Sequence, residues 1–285
     1  MEKMMKALKC DLMRCVMNKG FILSAAVTAV LCFSLQVYAD NSNGRVYSVL
    51  EALFSLDRSV MAESGDFIPA IIIGKALTGY SAMALPITAA LPFVTSFIAE
   101  RNSGNMRYTI VRAGRIRYYI SKLFSALLSG GLAVLIGVSL FAVLVYILFP
   151  NTQPTEILEY YLPNGAFSVL FSKTAGAFSY GAASVLPAFF LCSFCTNTYI
   201  ILCVPFLLKF IYETVLSAVQ TNLSAAGNYE IYQQTMPLYP NAITYLFEMP
   251  FGGDSAVILA LNLLLAAAAF SGFAAVMEKR ADRGC

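Results

Sequence analysis

Glu100–Lys122 reads ERNSGNMRYTIVRAGRIRYYISK. These 23 residues hold six basic side chains and one acidic one, in a chain that is 59% hydrophobic and 12% charged. A charged segment between two apolar runs must lie outside hydrocarbon, so the runs on either side decide the fold. Ordinary globular chains are about 45–50% apolar and about 25% charged. A helix that crosses hydrocarbon takes about 20 mostly apolar residues, and runs of that kind recur through the 285 residues. They are continuously apolar, whereas outer-membrane barrels alternate apolar and polar positions. The expectation is an all-α polytopic membrane protein, with one transmembrane domain over 1–285.

Working outward, six spans are expected, at about 20–39, 76–99, 120–149, 167–195, 198–219 and 255–277. Pro86, Pro92, Pro187 and Pro205 fall inside them and predict kinks. The fourth and fifth spans are hard to separate, because only CTNTY interrupts an apolar run from Phe189 to Phe210. At the N-terminus, the apolar GFILSAAVTAVLCFSLQ followed by VYAD could be a signal peptide cut after Ala39. The basic segment before it is long for that role, so a signal-anchor span is expected.

Lys and Arg gather on one side of this layout. Residues 1–19 hold five, 100–122 hold six, and the C-terminal tail holds Lys279, Arg280 and Arg283, whereas the opposite loops hold only Arg45 and Arg58. The positive-inside rule then puts both termini and the 100–119 loop in the cytoplasm. The bland account of the basic loop is that it fixes topology and meets anionic headgroups.

Residues 1–19 carry Met1, Met5, Leu8, Leu12 and Cys15 or Val16 at helical spacing among lysines, which predicts an interfacial helix on the lipid bilayer. The apolar residues at 46, 49, 50, 53, 54, 60 and 61 predict one amphipathic helix outside. The loop over 221–254 is rich in Tyr and Pro and is expected to form an extracellular cap or re-entrant element. Ser125, Ser129, Ala133 and Gly137 make a small-residue ridge on the third span that lets helices approach closely, within the fold or across a dimer.

Chemistry is mostly absent. There is no histidine, so neither a zinc-protease HExxH nor a Ser–His or Cys–His pair can form. No phosphate-binding GxxxxGK[ST] loop occurs; Gly74-Lys75 is followed by Ala76. Cys192 and Cys195 form a CxxC that nothing completes into four ligands, so packing is the simpler role. The chain is therefore not expected to be an enzyme, to hold a cofactor or metal, or to bind nucleic acid. Lys209 and Glu213 stand one helical turn apart. They either form an intramembrane pair on a pathway or seam, or mark the outer end of a fifth span that starts near Phe189.

A kinked span ending in SFIAER, the short NSGNMR, the basic YTIVRAGRIRYY and then ISKLFSALL resemble the permease subunits of type-2 ABC transporters. Glu100, Arg101, Gly104, Ser121 and Lys122 match that family's pattern. The resemblance implies that the loop is a coupling helix docking a separate ATP-binding subunit, through Glu100, Arg101, Gly104, Arg107, Arg112, Arg115, Arg117 and Lys122. ATP and Mg would sit on that partner, and a second permease copy or paralogue would complete the pathway. It further implies a cell inner or plasma membrane exporter, working by alternating access about the four prolines on a drug, peptide antibiotic or lipid-like substrate. The CTNT turn would be a second, smaller contact. The alternative is an ATP-independent secondary transporter or channel, although no internal repeat supports it.

Overall fold

The computed structural model describes residues 2–40, 45–149, 165–247 and 253–282. The long apolar runs are helices: α6 (Gly79–Asn102), α8 (Arg115–Leu148), α9 (Gly165–Leu191), α10 (Thr198–Ala225) and α12 (Gly253–Asp282). These five are long and apolar enough to cross a membrane, and the chain is a helical, multi-pass membrane protein. Ahead of them stand α1 (Glu2–Val16) and α2 (Lys19–Phe33), bent by 57° where they meet. The 15 residues of α2 reach about 22 Å, short of the ~30 Å hydrocarbon core. The sixth span therefore exists only if α1 and α2 count as one bent span.

Two expectations are corrected. The first apolar run is not helical to Ala39. Its helix stops at Phe33, and β1 (Gln36–Asp40) pairs antiparallel with β2 (Arg45–Ser48), a short hairpin within an otherwise helical fold. Both strands carry a Val-Tyr pair, residues that suit a pleated surface, and Tyr38 stands opposite Tyr47. The expected amphipathic helix of residues 46–61 is broken. Its first residues are β2, a Ser48–Glu51 capping box starts α3 (Val49–Ser55), and extended Leu56 separates that from α4 (Arg58–Glu63). The fifth span starts at Thr198 as expected, not near Phe189: α9 runs to Leu191 and a turn over 192–197 precedes α10. Lys209 consequently lies near the middle of α10.

A short buried helix α5 (Pro69–Gly74) leads into α6. The helix α7 (Asn105–Ala113) joins α6 to α8. After α10, α11 (Tyr229–Thr235) and two 3₁₀ turns, Met236–Leu238 and Pro240–Phe247, cap the bundle against α9, α10 and α12. The parts of the expected outer loops at 150–164 and 248–252 lie outside the described residues.

Small residues set the packing. α8 crosses α9 at Gly130 and Gly181, where a Cβ on Gly130 would stand 2.1 Å from Val185 Cγ2 and one on Gly181 2.8 Å from the Gly130 carbonyl. The predicted ridge is buried within the fold: a Cβ on Gly137 would meet Thr28 of α2 at 2.6 Å. In lipid, where water drives no helix association, such close approach is the main source of packing energy. An aromatic core of Phe93, Phe97, Phe189 and Phe273 joins α6, α9 and α12, with Phe189 and Phe273 stacked at 4.3 Å.

Candidate functional site

Two groups of ionised side chains occupy opposite halves of the bundle, about 27 Å apart along α6. At the α7 end, Lys122 of α8 lies between two carboxylates. Its ammonium donates to Asp11 Oδ1 at 2.7 Å and to Glu100 Oε2. Ser121 donates to Asp11 Oδ2 at 2.7 Å, Tyr118 donates to Glu100 Oε1 at 3.2 Å, and Arg14 lies 3.8 Å from Glu100. Lys122, Asp11 and Glu100 are all buried. A buried charge is tolerable only when paired and hydrogen-bonded, and here each carboxylate has at least two partners. The arrangement ties α1, the end of α6 and the start of α8 together.

Arg101 acts in the same frame. Its guanidinium donates to the carbonyls of Cys192 and Cys195, both at 3.0 Å. Those belong to the end of α9 and its turn, where helix carbonyls lack intrahelical partners. Arg280 of α12 donates to Phe194 in the same turn at 2.8 Å. The CxxC thus contributes backbone acceptors, and no cluster that could hold a metal occurs among the described residues. Through these bonds α1, α7, the 192–197 turn and the end of α12 share one end of the bundle.

Upon this frame sits α7. Glycines in left-handed or related conformations bound it, Gly104 at φ 73° and Gly114 at φ 86°, where an L side chain would be strained. Met106 and Ile110 pack inward, and no residue of α7 is fully buried. Tyr108 (76%) and Val111 (84%) are exposed, with Ile116 (67%) just beyond, flanked by exposed Arg107, Arg112, Arg115 and Arg117.

The expected docking set therefore divides. Arg107, Arg112, Arg115 and Arg117 are displayed and Gly104 makes the turn. Arg101 is held by the α9 turn. Glu100 and Lys122 are buried in the cluster with Asp11, where they join the ends of α6 and α8 to α1. Asp11 was missed in the sequence. It shares a helical face with Leu8, Leu12 and Cys15, and an acid on the apolar face of a basic helix is a readable sign of a buried partner.

The second group surrounds Lys209. Pro86 has no N–H, so it leaves the Ala82 carbonyl of α6 without its helical donor. Tyr180 donates to that carbonyl at 3.0 Å, and Lys209 donates both to it and to the Tyr180 hydroxyl oxygen. Glu213 lies 3.6 Å from the ammonium as an ion pair. Pro92 does the same to Thr88, whose carbonyl accepts from Ser24 of α2 at 2.5 Å. The helix containing Pro86 and Pro92 runs unbroken from Gly79 to Asn102, so these prolines serve as attachment points between helices.

Lys209 faces a cavity of about 500 Å³ lined by α6, α9, α10, α12 and the 3₁₀ turns. Tyr212 donates to the Leu238 carbonyl at 2.9 Å and Tyr239 to Gln220 at 3.0 Å, which closes the cap over it. Burial, and then the nearby Glu213 carboxylate, push the Tyr239 hydroxyl above its ordinary pKa.

No protein-family model matches the chain, and no curated protein matches it in sequence.

Proposed function

We propose that the chain is the membrane-spanning permease subunit of an ATP-driven exporter of the ABC class, with α7 as the docking helix for a separate ATP-binding subunit. The end that carries α1, α7 and the end of α12 is cytoplasmic by its excess of Lys and Arg, in the inner or plasma membrane. The observation that carries the reading is α7 itself: a short helix held between two glycines, its inner face packed on the bundle, its outer face a Tyr108–Val111 apolar patch ringed by arginines. Exposed aromatic and apolar anchors within an arginine rim are what a protein interface uses.

Force applied to α7 would pass to α6 and α8, and through Glu100, Lys122 and Asp11 to α1. Arg101 would carry it to the α9–α10 turn. Nucleotide would bind and be hydrolysed on the partner, and a second copy or paralogue of this chain would complete the pathway. The cargo is an amphipathic or hydrophobic molecule, in keeping with the apolar cavity.

Co-purification from the native membrane tests this. The native chain should bring an ATP-binding subunit with it, and Val111→Glu combined with Arg112→Glu should lose that subunit while melting at nearly the native temperature. A native chain that comes out alone and transports after reconstitution without nucleotide would favour the ATP-independent transporter or channel instead.

A further inference from the structure

The cavity beside Lys209 has a definite polarity. Its walls are mostly prolines, leucines and tyrosines with Ser184 and Asn262 among them, and the one ionised side chain among its described lining residues is Lys209. Glu213 is not among the lining residues; it pairs with the ammonium at 3.6 Å. The two close acceptors of Lys209, the Ala82 carbonyl and the Tyr180 hydroxyl, are neutral. An ammonium on a cavity wall, with two neutral hydrogen-bond acceptors and a single counter-ion outside the lining, can take an anionic partner from the cavity side. The volume, about 500 Å³, lies within the range of small-molecule pockets, about 300–1,000 Å³.

We infer that this cavity binds an acidic amphiphile, whose anionic head takes the Lys209 ammonium beside Tyr180 and whose apolar body lies along Pro187, Leu208, Leu261 and Leu265. The head competes with Glu213 for the ammonium, so Glu213 weakens binding. The inference deepens the exporter reading by naming the cargo class, and it rests on that reading only for the ligand's being cargo. Binding itself needs neither nucleotide nor partner, so its failure would leave the docking role of α7 standing.

The test is saturable binding of radiolabelled dodecanoate to the full chain in zwitterionic phosphatidylcholine nanodiscs, with dodecylamine and dodecanol as competitors. Dodecanoate should bind above the level of empty discs and be displaced by neither competitor. Lys209→Gln should weaken it about tenfold or more, and Glu213→Gln should tighten it. If Lys209→Gln fails to fold, head-group preference in the native chain and the Glu213→Gln result still decide the matter. Discs doped with phosphatidylglycerol separate two sources of the same chemistry: loss of dodecanoate binding assigns the site to an acidic membrane lipid, and retention assigns it to a free acidic cargo. Absence of saturable dodecanoate binding, equal or better binding of dodecylamine, or weaker binding after Glu213→Gln would each overturn the inference.

Discussion

Lys122 and Lys209 are both buried lysines on long apolar helices, and they do opposite work. Lys122 lies between two carboxylates that Ser121, Tyr118 and Arg14 also hold. Lys209 has one carboxylate, paired at 3.6 Å, two neutral acceptors and a cavity beside it. The first arrangement locks helix ends together. The second sets a charge on the wall of a cavity. The number of carboxylates around a cation, and the presence of a cavity beside it, separate a joint from a binding wall.

The largest expected effect tests the joint. Lys122→Met strands Asp11 and Glu100 as buried carboxylates, and removing one member of a buried ion group costs about 3–5 kcal/mol. Thermal unfolding in detergent should show a far larger drop than for Lys209→Met, which strands a single carboxylate. Equal drops would break the comparison.

Next comes the α8–α9 crossing. Gly130→Val places methyls against Val185 and the Ala89 carbonyl, and overpacking of this kind costs about 1–3 kcal/mol or more. The same scan should register it as a clear loss.

Arg101→Gln removes two charge-assisted hydrogen bonds to the α9 turn, each worth about 1.5–3 kcal/mol at most and less here because the side chain is part-exposed. Hydrogen exchange should quicken in 192–197 and leave the Lys209 region unchanged.

The smallest effect lies on the opposite end. Glu51 accepts from the Ser48 backbone N–H at 2.9 Å and from its hydroxyl at 3.0 Å, which holds the carboxyl below its ordinary value of 4.5. A depressed carboxyl stabilises above its unfolded pKa, and the gain is lost as pH falls through the lower folded value. Amide exchange in α3 should therefore accelerate below about pH 4.5 relative to that in Glu51→Gln, with the spans unaffected.

The five long helices were legible because each apolar run exceeds what crosses a membrane, and the basic end because Lys and Arg cluster in three segments. The Lys209–Glu213 pair was legible from its i, i+4 spacing, but its depth was not, since six residues of turn at 192–197 decide it. The β-hairpin was hidden inside a hydrophobic run, where Val and Tyr suit a span and a strand equally. Glu100 and Lys122 looked like surface residues because Asp11, which completes their cluster through Lys122, is over a hundred positions away from that lysine. The tie between Ala82 and Lys209 depends on a missing N–H at Pro86, which a sequence reveals only once the facing helix is known.

The most direct test of the central claim is photo-crosslinking from two positions in native membranes, with p-benzoylphenylalanine replacing Val111 in one chain and Phe54 in another. Both side chains are 84% exposed, on opposite ends of the bundle. An ATP-binding subunit crosslinked from position 111 and not from 54 is the expected result. Crosslinks to such a subunit from 54, or from neither, would contradict the docking role of α7.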